Sequence, residues 1–288
     1  MSRLIVLCAV LFSATVATAQ DFSFGFKTGL SFNNIKGELE ESATANESID
    51  RNVGFHFGAT FTWHMTDLMG LRGEFLYSQK GAKRSFDGES YYNLITIDDE
   101  IVRMSGLRKQ ELNLNNTYLE VPVTFYVKPH SRVEIYGGAS LGLLVSSRAF
   151  GSVSMSNIAG NATPNSFDHE LDFNYLADEP GRFTLSNPIT TIKINNNNYP
   201  YPQTAGAYFE FVESRGKLYK TIDLGLVGGV SVYLSKSLYV SGRLNYGMLD
   251  ITKTKADVSL STLENGEFIS REDDDRNVSI QASIGFSF

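Results

Sequence analysis

The chain has 288 residues, a formal net charge of −7 and a single cysteine, Cys8. The acidic balance gives no global reason to expect nucleic-acid binding, and beyond Cys8 there is no thiol for disulfides, cysteine zinc sites or thiol catalysis. Seven prolines against 25 glycines, with 12% aromatic residues, fit a glycine- and aromatic-rich β protein. After the first twenty residues no apolar run reaches the roughly 18 residues that mark a transmembrane helix, which leaves open a β-barrel, whose strands are only half apolar.

Residues 1–19 read as a secretory signal peptide. Arg3 is the basic start, Leu4 to Val16 the apolar core, and Ala17-Thr18-Ala19 the small-residue cleavage site, with cutting after Ala19. Cys8 lies inside that core, far from the cut, so a lipoprotein anchor is not expected. Residues 20–288 are then one β-barrel domain.

From residue 21 the chain alternates with period two, as a half-buried strand does. In 21–33, Phe22, Phe24, Phe26, Leu30 and Phe32 oppose Ser23, Lys27, Ser31 and Asn33. In 52–64, Val53, Phe55, Phe57, Phe61 and Trp63 oppose His56, Thr60 and His64. A third strand sets Leu71, Phe75 and Tyr77 against Arg72, Glu74, Ser78 and Lys80. The fourth, 116–127, sets Leu119, Val121, Val123, Phe125 and Val127 against Tyr118, Glu120, Thr124 and Tyr126. Pro122 removes a ladder donor there, which predicts a local bulge. The fifth, 132–146, sets Ile135, Leu141, Leu143 and Val145 against Glu134, Tyr136 and Ser140. The stretch 219–251 is a long hairpin turning near Lys236. Its oily face carries Ile222, Leu224, Leu226, Val230, Val232, Leu238, Val240 and Leu244, and its inner face carries Asp223, Ser231, Ser241, Arg243 and Asn245. Residues 277–288 close the chain with the same alternation.

These are eight strands. The connections alternate long (34–51, 81–115, 147–218, 252–276) and short (65–69, 128–131, 235–237). The prediction is an all-β, eight-stranded antiparallel up-and-down transmembrane β-barrel with long extracellular loops and both termini periplasmic, in the outer membrane of a Gram-negative cell. Part of 81–115, near 91–97 and 101–104, is expected to form an extra strand pair, and 183–194 with 207–213 a hairpin above the rim. Aromatics near the short-turn ends (Phe22, Trp63, Tyr233, Tyr239, Phe288) and the long-loop ends (Phe32, Phe55, Tyr77, Tyr118, Tyr246) are expected to form two interfacial girdles.

Several segments together resemble the PorT-like outer-membrane β-barrel proteins of Bacteroidota. They are Tyr77-Ser78-Gln79-Lys80-Gly81-Ala82-Lys83, Tyr118-Leu119-Glu120-Val121-Pro122, Tyr136-Gly137-Gly138 and Leu244-Asn245-Tyr246-Gly247. The resemblance spans nearly the whole chain after the leader and departs mainly in the long third loop. It implies an eight-stranded outer-membrane barrel. It does not imply one activity, although the founding member is linked to protein secretion and maturation.

Inward positions carry Lys27, Arg72, Lys80 and Arg243 against Glu74, Glu120, Glu134 and Asp223. The interior of an eight-stranded barrel is filled by side chains, so these four cations and four anions are expected to pair as structural lumen charges. Asp223 lies thirteen residues before the hairpin turn and Arg243 seven after it, so each is expected to find its partner across the lumen. The histidines, His56, His64, His130 and His169, show no metal motif, and His169 beside Asp168 and Glu170 is a weak enzymatic sign. The run Glu272-Asp273-Asp274-Asp275 offers hard oxygen ligands for Ca²⁺ but lacks the glycine and spacing of a calcium loop, and reads as a solvated acidic loop. No catalytic, cofactor-binding or metal residue is assigned. The expected partners are outer-membrane lipid, the barrel-assembly machinery during insertion, and an envelope or extracellular protein through loop 147–218, where Asn195–Asn198 and Tyr199-Pro200-Tyr201-Pro202 offer a recognition surface. The expected role is a non-enzymatic barrel with loops for binding or envelope architecture, with a secretion or transport accessory and a rim enzyme as alternatives.

Overall fold

The computed structural model describes residues 22–42, 44–96, 100–160 and 162–288; the leader expected over 1–19 lies outside the described residues. Eight strands form the barrel: β1 (Phe22–Lys36), β2 (Asn52–Thr66), β3 (Met69–Ile95), β4 (Ile101–His130), β5 (Val133–Ser156), β6 (Ile222–Tyr233), β7 (Leu238–Gly247) and β8 (Arg276–Ser287). Each pairs antiparallel with its neighbours in sequence. β1 and β8 pair from Gly25↔Ser287 to Lys36↔Arg276, so every strand of the set has a partner on both sides. A closed ring has no edge left to hydrogen-bond elsewhere, which is what a hydrocarbon environment requires of a sheet.

The outward side chains are oily on all eight strands. Phe26, Leu30, Phe57, Phe75, Val123, Leu141, Leu226, Leu244 and Ile280 are all at least half exposed, while their sequence neighbours are mostly buried and polar. The tight turn near Lys236 is as expected, with Tyr233 opposite Tyr239.

The long loops differ most from expectation. β3, β4 and β5 are 27, 30 and 24 residues long, whereas about 9–11 residues span a bilayer. Most of 81–115 is therefore not a loop: it is the ends of β3 and β4, which pair without a break from Gly81↔Asn115 to Ile95↔Ile101. The extra pair expected near residues 91–104 is the tip of this ladder; residues 97–99 lie outside the described residues. The physical reason is a change of solvent along one strand. Up to Tyr77 the outer face of β3 is apolar and the inner face carries Arg72, Glu74 and Lys80. Beyond it the outer positions are Lys83, Asp87 and Glu89, and the inner ones are Ala82 and Phe86, buried. β4 does the same with Glu111 and Lys109 outside and Leu112 and Leu114 inside. A strand leaving lipid for water must exchange its oily and polar faces, and read as sequence that exchange looks like loss of pattern.

In β5 the exchange is helped by a bulge. Thr117 pairs with Ser146 and Tyr118 with Leu144, so Val145 is the extra residue. The inward parity passes from Tyr136, Ser140 and Leu144 to Ser147, Ala149 and Val153. The bulge expected at Pro122 is not there. The β3–β4 ladder merely lapses opposite Pro122 and resumes in the same register at Leu76↔Glu120, because a missing N–H deletes one bond without inserting a residue.

Other segments complete a β cap over one end of the barrel. Residues 45–50 pair with β3 and 166–174 with β5. The hairpin expected from 183–194 and 207–213 is instead Thr191–Ile194 with Asn197–Pro200. Asn195 and Asn196 form its turn at φ 48° and 73°, the left-handed geometry that favours asparagine in a two-residue hairpin; residues 207–213 are not strand. Within 252–276, Val258–Glu264 and Glu267–Ser270 form another hairpin. The cap has its own apolar core, including Leu94, Leu114, Val153, Met155, Ile192 and Ile251.

The aromatic girdles are also revised. Phe22 stacks on Phe61 and Trp63, and Phe55 and Phe57 on Tyr77, on the outer surface. Tyr118 and Tyr239, however, are buried inside, and the Tyr233 hydroxyl donates to Glu134 (3.1 Å). Tyr239 lies directly on Gly285 and Tyr126 on Gly70, where a Cβ would be within 2.2 Å and 2.6 Å of the respective ring or hydroxyl; the missing side chains make room for large rings in a narrow lumen.

Two substitutions locate the lipid-facing band. Leu226→Arg, near the middle of β6, is expected to destabilise the barrel by about 2–4 kcal/mol, and Leu234→Arg, at the turn, by about 0–1 kcal/mol. Equal effects in urea unfolding from lipid vesicles would contradict this placement.

Candidate functional site

The lumen holds the eight charges picked out by alternation, all at most 5% exposed. Arg72 makes a two-pronged contact with Glu134, at 2.6 and 2.9 Å. Glu74 lies between Lys27 (3.3 Å) and Arg243 (2.8 Å). Lys80 lies between Glu120 (2.6 Å) and Asp223 (3.0 Å). One cluster is therefore neutral, one carries an extra cation and one an extra anion, and the three sum to zero. Asp223 and Arg243 do not meet, and each reaches across to β3. Only Lys80–Glu120 joins neighbouring strands; the other four contacts cross the lumen or skip a strand. Arg243 also donates to Gln281 (2.6 and 2.9 Å), and Asn277 to Asp223 (2.9 Å).

The histidines are dispersed. His56 is buried in the lumen between Ser31 (3.0 Å) and Ser283 (2.8 Å). His64 meets Tyr126 (2.5 Å) near the short turns, and His130 is exposed at a turn. His169 is buried against the Tyr92 hydroxyl (2.8 Å), while Asp168 and Glu170 point to the opposite, exposed face. Strand geometry thus separates the three neighbours and no acid–histidine dyad forms. Burial, and then the nearby Arg108, hold the His169 imidazole down at about 3, so it is neutral in the folded protein.

The cap also contains polar pairs that the sequence did not single out. Arg84 (2.6 Å) and Arg271 (3.0 Å) both contact Glu47. Burial raises the Glu47 carboxyl, but these two cations outweigh it and leave it below the usual range. Arg108 binds Glu210 (2.7 Å). Between these pairs lies a cavity of about 130 Å³, lined among others by Tyr92, Tyr175, Tyr208 and Phe209. Partners this far apart in sequence leave no spacing signal; the only hint was that Arg84 and Arg108 fall on inward positions once their strands are extended.

The acidic run is not a solvated loop. Its residues alternate, with Glu272 and Asp274 exposed while the Asp273 side chain is 5% and Asp275 3% accessible. Together with Asp257, also buried, they form a group of three carboxylates with one oxygen from each within 4.8 Å of the others.

A closed antiparallel ring, oily outside and charged inside, is the architecture of an outer-membrane barrel. The chain belongs to the outer membrane protein beta-barrel domain family. That family's model matches residues 18–253, a span that includes β1 to β7, and membership assigns the protein to the outer membrane. No curated protein matches the chain. Among solved structures it is similar to Ail, the attachment invasion locus protein of Yersinia pestis, at 10% identity and TM-score 0.37, covering 93% of this chain and 99% of that one. It is also similar to Neisserial surface protein A, at 12% and 0.38, covering 92% and 97%, and to OprG of Pseudomonas aeruginosa, at 11% and 0.36, covering 93% and 96%.

Three of the four sequence segments singled out above (77–83, 118–122 and 244–247) meet inside this family barrel. Lys80 bridges to Glu120 and lies over the Tyr118 ring (5.1 Å), and Asn245 donates to Glu120 (3.4 Å).

Removing Glu74 strands two buried cations, whereas removing Glu120 leaves Lys80 with Asp223. Glu74→Ala is therefore expected to cost about 3–5 kcal/mol and Glu120→Ala less, read as loss of stability in detergent; the reverse order would refute the pairing scheme. The depressed His169 pKa contributes stability that is complete above the ordinary histidine value near 6.5 and is lost as pH falls toward about 3. Between pH 6.5 and 4, wild type should lose stability relative to His169→Gln by at most about 1.4 kcal/mol per pH unit; parallel pH profiles would exclude a neutral buried imidazole.

Proposed function

We propose that this protein is a non-enzymatic outer-membrane barrel whose side-chain-filled lumen is a rigid support for a folded extracellular β cap, and that the cap serves binding or envelope architecture. One observation carries this reading: β3, β4 and β5 run straight from the lipid-facing wall into the cap. Cap and barrel are thus one continuous sheet, so the cap is held rigidly at the rim. The lumen pairs support a plugged barrel, since Arg243, Tyr118, Tyr126 and Gln281 fill its section and are essentially inaccessible. The separation of His169 from Asp168 and Glu170 supports a role other than catalysis.

In this reading residues 1–19 are removed as a signal peptide, both termini lie in the periplasm, and the cap faces outward with the Asn195–Asn198 hairpin at its surface. The partner is an envelope or extracellular protein. The PorT-like resemblance favours a second reading, a secretion or transport accessory in Bacteroidota. Because its motif residues Lys80, Tyr118, Glu120 and Asn245 form one lumen cluster, the resemblance speaks for shared scaffolding more than for shared activity.

Two measurements test the proposal. In planar bilayers the refolded protein should give no stable nanosiemens channels. On intact cells Asn196→Cys should react with a membrane-impermeant maleimide, whereas Lys236→Cys should not. Large stable conductance would refute the plugged lumen, and the opposite labelling pattern would refute the orientation.

A further inference from the structure

The buried carboxylates at the base of the cap are not balanced by the cations around them. Asp257 immediately precedes the Val258–Glu264 strand, and Asp273 and Asp275 lie between the end of that hairpin and β8. Facing them are Glu47 from the 45–50 strand, Arg84 from β3 and Arg271 from the hairpin's return. Glu47, Asp257, Asp273 and Asp275 supply four negative charges; Arg84 and Arg271 supply two positive ones, both already on Glu47. Nearby Asp250 has its own partner, Lys220 (2.5 Å). Two negative charges are left over.

The group also has unused donor capacity. Asp257 is 5% exposed and its Oδ2 has no hydrogen-bond partner. Asp273 Oδ2 is 3.0 Å from Arg271 but outside hydrogen-bond alignment. Leaving such oxygens buried and charged is costly.

We propose that Asp257, Asp273 and Asp275 form a binding site for one divalent, oxygen-seeking cation, with Ca²⁺ the best fit. A divalent ion supplies the two missing charges. The donors are all carboxylate oxygens, with no histidine or thiol in the group, which selects a hard cation over zinc. One oxygen from each of the three residues lies within 4.8 Å of the others, close enough to share a single ion, and Ca²⁺ accepts irregular shells completed by water, whereas Mg²⁺ demands near-ideal octahedral geometry.

The site lies at the foot of the Val258–Ser270 hairpin, which covers the end of β3 through hydrogen bonds from Tyr91 to the Ser259 carbonyl (2.6 Å) and from Ser90 to the Leu260 carbonyl (2.5 Å). Joining residue 257 to residues 273 and 275 closes that hairpin at its base and fixes it over the cavity beneath. Calcium binding therefore stiffens this face of the cap.

The test uses the full mature chain refolded in detergent and freed of metal with chelator. Titration calorimetry with CaCl₂ should show one ion per chain, with a Kd on the order of 10⁻⁴–10⁻³ M, the range of extracellular calcium modules. MgCl₂ should bind at least about tenfold more weakly. Asp257→Asn and Asp275→Asn, nearly equal in size to the native residues, should each weaken Ca²⁺ binding at least about tenfold while retaining the heat-modifiable gel shift of a folded barrel. Calcium should also slow tryptic cutting at Lys253, Lys255 and Arg271 in wild type but not in the variants. No binding by folded wild type up to about 10 mM Ca²⁺, or undiminished binding by both folded variants, would overturn the site; equal affinity for Mg²⁺ would overturn the choice of calcium. If either variant does not fold, Asp273→Asn provides the same comparison.

Discussion

Buried charge must be neutralised within the wall of this barrel, and much of the architecture follows from that constraint. An eight-stranded lumen is too narrow to hydrate its side chains as a pore would, yet four of the inward positions are cationic and four anionic. Their pairing through three clusters ties β1, β3, β4, β5, β6 and β7 together across the interior. Because only the Lys80–Glu120 contact joins neighbouring strands, the clusters act on the ring as a whole. The same economy of space places Tyr239 and Tyr126 on glycines, and it fills the section with rings and guanidinium groups.

The second constraint is the change of solvent along the long strands. Inside the bilayer the outer face must be oily and the inner face can be polar; above it the demands are reversed. β3, β4 and β5 meet both demands in one continuous ladder, β5 with a bulge at Val145 that resets which residues point inward. The cap is therefore a continuation of the barrel wall with its faces exchanged, closed over by chain segments that supply a separate apolar core. In the proposed reading, function is carried by the cap and the lumen serves as its support. The unbalanced carboxylates at the base of its last hairpin are where a soluble cation can enter that structure.

How much of this was legible in sequence depended on distance along the chain. Period-two alternation identified every barrel strand, placed Phe75 outside and Glu74 inside, and found all eight lumen charges, because face assignment needs only neighbouring residues. It lost β3 after Lys80, where Lys83, Asp87 and Glu89 replace Phe75 and Tyr77 on the outer face, since a strand in water has the opposite pattern from the same strand in lipid. It read Tyr118 and Tyr239 as interfacial on residue type, although parity already placed both on the inner face. It also read Glu272–Asp275 as solvated because four consecutive acids look uniformly polar; only strand-like alternation beside a folded cap turns Asp273 and Asp275 inward.

The all-β class, the eight-stranded ring and the inward parity of the lumen charges can be read along the chain, since each rests on local periodicity and on which side chains tolerate lipid. Which charges pair, how far β3 to β5 extend and what the long connections build come from the folded arrangement. Glu74 meets Arg243, and Asp257 meets Asp275, through ring closure and cap packing, and contacts set by three-dimensional closure leave no spacing in the chain from which they can be read.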